Sequence, residues 1–494
     1  MKVLFLFSQN LKLTSFEKLS SLWNKGDKIF LFTTHHLFEN EIEYLKGIFG
    51  DFEYIRYSMF LSDAEQEAVD KLADNKGVHS PFEYYNQVRL IKNQRIAEKI
   101  SSQYAEAKKY ILSDDLGIEE SVWLKNGFER VHGEYYYDWP TAHGTLKGRI
   151  KNLLKKNPLI VSLYQKLKGI NNDFIGDDVY TAEWNGKKYI FVGRLQRVGY
   201  RIGLEFKKDE KELELFKKGI FHKKEECQYL SSIHERTKCI VPDSPKYDVR
   251  YIQDGYLPPN YSACDLKYIP KNVEYYSWDV MGSRHFQYHN IPVSIMPFRN
   301  KLYMPEPVFP KKVKTVLVAT SGTGDWTAQK NRSDDDLMVM AFVEVARRMP
   351  DVQIIYRAHP TWIYPVHVGV NSINRVAEYF EWTKLPNIRL SANIPDMKVL
   401  SFPRSSLEED LKQADIVFGE HSVSMIDAAF KNIPFASVNL TTRRDLFCGL
   451  TEMGFTSCKS ADDIIKVING ISTPEYQKAY LQAVKNYNEM TDKE

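Results

Sequence analysis

Two series of short apolar runs, each run followed by a helical pattern, constrain the fold most strongly. The first series begins with "KVLFLF", "KIFLFTTHH" and "FEYIRYS", and the second runs from about residue 312 to "PFASVNL" near residue 440. Short apolar runs that alternate with helices are typical of buried strands in a parallel sheet. We therefore predict an α/β protein with two Rossmann-like domains that face each other across a cleft.

The chain length agrees with two domains. Its 494 residues are too many for one ordinary core and suffice for two domains of about 200 residues with extra elements. The Pro-rich stretch "IPVSIMPFRNKLYMPEPVFPKK" precedes the second series and is typical of an interdomain linker. We predict an N-terminal domain over residues 1–300 and a C-terminal domain over residues 301–494.

The composition indicates the class of protein but does not indicate a binding partner. Hydrophobic residues make up 43% and charged residues 27%, which is normal for a soluble globular enzyme. The five cysteines are scattered without a CxxC pair, which favours reduced thiols and a cytoplasmic location. The start of the chain lacks the features of a signal peptide, and no run of 18 apolar residues predicts a membrane span.

A basic segment interrupts the first series around residues 141–172, and we predict a helical insertion there. Residues 147–168 carry seven lysines and arginines and no acidic residue. Such a helix is suited to the anionic surface of the inner membrane, at about 1 kcal/mol per basic residue. A solvated helix on the domain edge explains the pattern equally well. Binding to nucleic acid is not expected, because the segment has few aromatic residues and net charge is only +3.

One histidine follows a predicted strand in "VQIIYRAHPTW". Pro360 biases the backbone of His359 toward an extended conformation, which fixes the direction of the imidazole. A held imidazole can donate a hydrogen bond to a phosphate or protonate it as it leaves. His359 and Pro360 are therefore candidate site residues, although an incidental histidine at a strand end is the commoner situation.

Two further strand ends carry small or polar residues. In "FGEHSVS", Glu420, Ser422 and Ser424 lie where strand becomes helix, and hydroxyls there can bind phosphate or simply cap the helix. In "ATSGTGDWT", Ser321 and Asp325 follow the first strand of the second series. Small residues let a ligand approach the backbone, and a carboxylate can serve as nucleophile or base, although Gly and Asp also favour a plain turn.

Acidic residues elsewhere supply candidates for a base. In "YIQDGYLPP", Asp254 follows an apolar run and would face His359 if the domains face each other, although Asp-Gly is also a strong turn signal. Asp114, Asp115 and Glu119 in "SDDLGIEE" form a rival cluster. The acidic run Asp334 to Asp336 opens a predicted helix, where acids complement the helix dipole, so no metal site is predicted there or elsewhere.

The order of these motifs resembles that of bacterial GT-B glycosyltransferases that use CMP-activated sugar acids. These include the capsule and lipopolysaccharide Kdo transferases and the bacterial sialyltransferases, which share an acidic-acidic-Gly motif, a His-Pro motif and a paired Ser/Thr motif. The likeness covers about residues 245 to 445. The first acidic position of the acidic-acidic-Gly motif is Gln253 here, and if the sialyltransferase pattern applies, Asp114 replaces Asp254 as the base.

The resemblance implies roles for the candidate residues. His359, Ser422 and Ser424 would bind the CMP phosphate, Asp254 would deprotonate the acceptor, and Asp325 would match the nucleophile of retaining Kdo transferases. The N-terminal domain would bind the acceptor. The donor's carboxylate would bind a cation, for which Arg357, Arg404 and Lys330 are candidates. No cofactor is expected, because a donor with one phosphate need not bring a divalent ion.

The resulting expectation is a cytoplasmic enzyme, peripheral on the inner membrane. It would transfer a 3-deoxy-ulosonic acid of the Kdo, pseudaminic or sialic acid type from its CMP donor to a capsule or lipopolysaccharide glycan or a lipid-linked glycan. The alternatives are a GT-B transferase for another donor, such as UDP-hexose or CDP-glycerol, and a non-catalytic glycan-binding scaffold. Glu420 near a helix start is the one hint of a hexose-nucleotide site.

Overall fold

We describe the protein from a computed structural model. The description covers residues 1–135, apart from 9–10, 57–59, 114–118 and most of 63–80. Between residues 180 and 295 it covers the strands of one sheet and a few residues beside them. It then covers residues 303–493, apart from 321–334, 359–372, 392–406, 421 and 441–448.

The first sheet has five parallel strands in the order β3-β2-β1-β4-β5. In chain order its strands are β1 (Lys2–Phe7), β2 (Lys28–Thr33), β3 (Phe52–Arg56), β4 (Lys108–Leu112) and β5 (Glu129–Arg130). Val3, Phe5 and Phe7 pack into one core cluster, whereas Leu4 and Leu6 pack into the other. A run that is apolar at every position is therefore buried on both faces of the sheet.

The helices that pack on the first sheet complete the N-terminal domain, which we define as residues 1–135. They are α1 (Ser15–Lys18), α2 (Glu39–Phe49), α3 (Pro81–Gln103) and α4 (Glu120–Lys125). The polar pattern "YYNQVRLIKNQRIAEKISSQYAEA", at about residues 85–108, predicts a long helix, and α3 confirms it. The helix expected in "TSFEKLSSLWNKG" is much shorter than its pattern suggests, because only α1 and a 3₁₀ turn at Ser20–Leu22 form there.

A second, mixed sheet of six strands lies between the two parallel sheets in the chain, in the order β11-β10-β9-β8-β7-β6. Its strands are β6 (Tyr180–Trp184), β7 (Lys187–Leu195), β8 (Tyr200–Phe206), β9 (Tyr247–Gln253), β10 (Glu274–Ser277) and β11 (Ser294–Ile295). The Asn-Gly dipeptide in "AEWNGKKYIFVG" predicts a hairpin, and the pairing of Trp184 with Lys187 across β6 and β7 confirms it. The apolar run before Asp254 also predicts a strand, which is confirmed as β9, whereas the sequence patterns did not reveal β8, β10 or β11.

The third sheet has six parallel strands in the order β14-β13-β12-β15-β16-β17. They are β12 (Thr315–Ala319), β13 (Gln353–Arg357), β14 (Ile388–Leu390), β15 (Ile416–Gly419), β16 (Phe435–Val438) and β17 (Ser457–Cys458). β12 again divides its residues between two core clusters: Val316 and Val318 lie in one, and Leu317 and Ala319 in the other.

The helices around the third sheet complete the C-terminal domain, which we define as residues 303–493. They are α5 (Asp335–Arg348), α6 (Ile373–Thr383), α7 (Leu407–Leu411), α8 (Val423–Ala429), α9 (Leu450–Met453), α10 (Ala461–Gly470) and α11 (Pro474–Thr491). Asn488 of α11 holds the linker by accepting from the Met304 N–H at 2.8 Å and donating to the Met304 carbonyl at 3.0 Å. In the described part of the chain, no helix is both long and apolar enough to cross a membrane.

The two parallel sheets confirm the predicted fold class, an α/β protein with two Rossmann-like domains. Counted from its own first strand, the first sheet has the order 3-2-1-4-5 and the third sheet has 3-2-1-4-5-6, which is the doubly wound Rossmann order. The domain boundary near residue 300 stays a prediction, since the second sheet lies between the two Rossmann-like sheets in the chain.

Candidate functional site

Three neighbouring strands of the third sheet lead into the three candidate segments of the C-terminal domain. β12 is the central strand, with β13 paired on one side and β15 on the other. The chain leaves β12 toward Ser321 and Asp325, and it leaves β13 toward His359 and Pro360. The step from β12 to β15 is the switch point of the sheet, where ligands of doubly wound folds bind beyond the carboxyl ends of the strands.

Ser422 begins helix α8 directly after β15. Its extended backbone and its side chain form a regular N-cap, in which the Ser424 N–H donates to Ser422 Oγ at 3.4 Å. Ser422 is buried at 9% exposure and Ser424 is half-buried, while Glu420 is buried at 1%. The structure thus places these three residues together at the carboxyl edge of the sheet, with Ser422 in the capping role.

Arg357 ends β13, two residues before His359. Its Nη1 donates to Asp410 Oδ2 of α7 at 2.6 Å, and Asp410 is only 1% exposed. Its carbonyl accepts a hydrogen bond from the Thr320 N–H at 3.1 Å, which ties the end of β13 to the end of β12. Since the Arg357 charge is compensated by Asp410, this arginine is a poorer partner for a donor carboxylate than the sequence suggested.

Most of the other residues predicted from the sequence lie outside the described part of the chain. They are Ser321, Asp325, His359 and Pro360 in the C-terminal domain, Asp254, Asp114 and Asp115 as candidate bases, Arg404 and Lys330 as candidate cations, and the basic segment 147–168. β9 of the second sheet ends at Gln253, immediately before Asp254. The roles predicted for these residues stay predictions.

The carboxyl edges of the two Rossmann-like domains meet at a buried group of side chains that we call the interdomain cluster: Phe38, Glu41, Asp336 and Arg375. Arg375 Nε and Nη2 donate to the two oxygens of Glu41 at 2.7 and 2.8 Å, and Nη1 donates to Asp336 at 3.2 Å. The guanidinium lies 4.5 Å from the centre of the Phe38 ring. Because each of these residues follows the carboxyl end of a strand, the two edges face each other.

Two histidines after β2 lie beside this cluster. The His36 N–H donates to Asp336 at 3.2 Å, and the His36 carbonyl accepts from Arg375 Nη2 at 2.9 Å. Arg56 Nη1 lies 2.9 Å from His36 Nε2. His35 is buried, and burial together with the charge of Arg375 holds the pKa of its imidazole well below the usual range.

Sequence reasoning missed the interdomain cluster. It treated the adjacent histidines of "TTHH" as the end of a strand and Asp336 as an acid at a helix start. Asp336 does lie in the first turn of α5, but it is 3% exposed and binds both Arg375 and the N-terminal domain. Burial raises the pKa of Asp336, while the neighbouring Arg375 acts in the opposite direction. The described residues include no group of three or more potential metal ligands.

Comparison with known proteins identifies no family. No family model matches the chain, and no curated protein matches it. Similar solved structures include Anabaena HepE in complex with UDP and glucose (10% identity, 100% of this chain and 95% of that chain, TM-score 0.27). They also include the trehalose-6-phosphate synthase OtsA (9%, 99% and 97%, 0.25) and a sialyltransferase from Photobacterium damsela (12%, 97% and 80%, 0.17). Similarity at this level carries no inference about activity, and the fold rests on the strand orders given above.

Proposed function

We propose that the protein is a glycosyltransferase that transfers a 3-deoxy-ulosonic acid from its CMP donor to a glycan acceptor of bacterial capsule or lipopolysaccharide. The observation that supports this proposal is the adjacency of β13, β12 and β15 in the third sheet, because the chain leaves each of these strands toward a candidate segment. Ser321 and Asp325 follow β12, His359 follows β13, and Ser422 and Ser424 follow β15, and these strands are adjacent in the sheet. A nucleotide phosphate bound there would lie within reach of all three segments.

The proposed chemistry follows from the donor. A CMP-linked sugar acid leaves as a phosphate monoester, so stabilisation of the departing phosphate is the main task. In our proposal His359, Ser422 and Ser424 donate hydrogen bonds to that phosphate. Asp325 attacks or stabilises the anomeric carbon, which develops oxocarbenium character, and Asp254 or Asp114 deprotonates the acceptor hydroxyl. No metal ion is required for a donor with one phosphate.

The direct test is a transfer assay with purified protein and one CMP-activated sugar acid at a time. Release of CMP together with a glycosylated acceptor is the expected result for one of the donors. If the wild-type protein transfers the sugar, Asp325→Asn should lower kcat by about 10³-fold or more, because both roles assigned to this carboxylate are in the chemical step. Failure to release CMP from any donor would remove the proposal.

The stereochemical outcome separates two roles for Asp325. If it is a nucleophile, mass spectrometry of the protein after rapid quenching should detect a covalent sugar adduct on the peptide that contains it. An inverted product anomer would show instead that Asp325 does not form a covalent bond.

A second candidate is a transferase that uses another nucleotide donor, such as UDP-hexose or CDP-glycerol. Glu420 supports this alternative, because a buried carboxylate at the end of β15 lies where such donors also bind. Thermal unfolding in the presence of CMP, UDP or CDP distinguishes the two: stabilisation by CMP alone favours the CMP donor, and stronger stabilisation by UDP or CDP favours the alternative.

A further inference from the structure

The interdomain cluster lies at the ends of two of the three chain segments that carry candidate residues of the C-terminal domain. Asp336 is the second residue of α5, which follows segment 321–334. Arg375 is the third residue of α6, which follows segment 359–372. The ion pair between Asp336 and Arg375, at 3.2 Å, therefore joins the far ends of both segments.

The near ends of the same segments are also joined. The Thr320 N–H donates to the Arg357 carbonyl at 3.1 Å. Thr320 directly precedes segment 321–334, and Arg357 lies two residues before segment 359–372 begins. Both segments thus begin at a hydrogen bond between β12 and β13 and end at an ion pair between α5 and α6. Their four ends are held as two pairs within one domain.

Only the far pair contacts the N-terminal domain among these described contacts. Arg375 binds the two oxygens of Glu41 with two N–H groups, and it also binds the His36 carbonyl. Two parallel N–H···O bonds between a guanidinium and a carboxylate fix orientation as well as distance. Arg375 is 2% exposed, so water does not screen these contacts.

Hydrophobic packing alone does not account for a charged cluster in this place. A buried ion pair gives little net stability relative to apolar side chains of the same size, whereas its geometry is strict. The interface already has an apolar anchor, because Phe38 is fully buried in the core cluster of the C-terminal domain and stacks on Tyr379 at 4.6 Å. The charged groups of Glu41, Asp336 and Arg375 supply what the packing of Phe38 does not, namely directional hydrogen bonds that link α2, α5 and α6.

We propose that Arg375 is a positioning residue that couples the N-terminal domain to segments 321–334 and 359–372. Glu41 and the His36 carbonyl fix the position of the Arg375 guanidinium. Arg375 in turn fixes the start of α5 by binding Asp336, and it fixes the start of α6 because it belongs to that helix. The position of the N-terminal domain thereby sets where both segments end. This inference does not depend on which donor the protein uses.

Hydrogen exchange measured by mass spectrometry tests the coupling in the full chain without any substrate. Glu41→Gln keeps the shape of the side chain and removes the charge that Arg375 binds. We expect exchange in peptides from 321–334 and 359–372 to become about threefold faster or more, as a coupling of this kind predicts. Exchange in β12, which lies in the core, should not change.

The matched control is Glu39→Gln, two residues earlier on the same helix. Glu39 binds Arg347 of α5 at the exposed rim of the interface, away from the ends of the two segments. Glu39→Gln should leave exchange in both segments as in the wild type. The milder variant Glu41→Asp should give an intermediate effect, and it replaces Glu41→Gln if the latter does not fold.

Two results would overturn the proposal. One is faster exchange confined to residues 34–49, which would limit Glu41 to a local structural role. The other is the same rise in exchange from Glu39→Gln, which would show general loosening of the interface. Neither result bears on transfer from a CMP donor, so failure of this inference and failure of the proposed function are distinguishable.

Discussion

Two glutamates of helix α2 form ion pairs with two arginines of the C-terminal domain, and the two pairs differ mainly in burial. In the buried pair the side chains of Glu41 and Arg375 are 8% and 2% exposed, whereas in the rim pair those of Glu39 and Arg347 are 43% and 33% exposed. At the rim, Arg347 also lies 3.9 Å from the carboxylate of a second glutamate, Glu344. The same kind of ion pair can therefore define geometry where it is buried and contribute little to stability where it is exposed.

The largest effect is expected from removing the buried cation. Arg375→Met should lower the free energy of unfolding by about 3–5 kcal/mol, because two buried carboxylates then lack their partner. Urea unfolding measures this change, and Arg347→Met is the matched control at the rim, with an expected loss of about 1 kcal/mol or less. Equal losses for the two variants would mean that burial does not distinguish the pairs.

The second largest loss of stability is expected from removing Phe38, the apolar anchor of the same interface. Phe38→Ala should cost about 3 kcal/mol, since the ring is fully buried between Arg375 and Tyr379 and its removal leaves a cavity. Phe38→Leu, which keeps most of the volume, should cost less than about 1.5 kcal/mol. Both values come from the same urea titrations. A small cost for the alanine variant would show that the interface can close over the gap.

The stability of the buried region and that of the rim should depend on pH in different ranges. Since the pKa of His35 is held well below 6.5 in the folded protein, the unfolded chain binds a proton near pH 6.5 when the folded protein does not. Stability is therefore retained above pH 6.5 and decreases as pH falls below it, by up to about 1.4 kcal/mol per pH unit. His35→Leu should remove this decrease between pH 7.5 and 5.

The control for that experiment is His132→Gln, which changes an exposed histidine and should keep the wild-type dependence. The rim pair contributes no slope in this range. Arg347 lowers the pKa of Glu39 below 4.5, so the stabilisation from that pair is present above pH 4.5 and is lost only as pH falls through the lowered pKa. An unchanged slope in His35→Leu would contradict the assignment.

The smallest effect is expected at the rim. Glu39→Gln should change the free energy of unfolding by about 0–1 kcal/mol, because water and salt screen an exposed pair. Repeating the measurement at high salt should reduce the difference further. A loss above about 2 kcal/mol would show that the rim pair is a structural contact of the same kind as Glu41 and Arg375.

Local patterns predicted most strands of the two parallel sheets, and with them the class of fold, but only part of the second sheet. In runs such as "KVLFLF" and "KTVLVA", the residues after the initial Lys or Lys-Thr are buried on both faces of the sheet, and that burial requires an apolar residue at each of those positions. The hairpin at Trp184 and Lys187 was predicted because an Asn-Gly turn is a short-range signal. In each of these cases the physical cause lies within a few neighbouring residues.

The interdomain cluster could not be predicted in the same way. Glu41 and Arg375 are 334 residues apart in the chain, and neither belongs to a motif with local spacing. Arg375 lies in a helix whose pattern shows only an apolar face, so its burial depends on a partner in the other domain. The strand ends of the C-terminal domain were predicted, whereas the contacts that join the two domains require three-dimensional structure.

Calorimetric titration of CMP into the purified protein tests the central claim most directly, namely that the switch point of the third sheet binds the donor phosphate. Ser422→Gly removes the hydroxyl at little cost to the helix start, and Ser460→Gly is its control, because Ser460 caps α10 beside the edge strand β17. We predict that CMP binds the wild type and Ser460→Gly equally and binds Ser422→Gly about tenfold more weakly, as expected for a lost hydrogen bond to a charged group. Equal CMP affinity in all three proteins, or no binding to the wild type, would contradict the account.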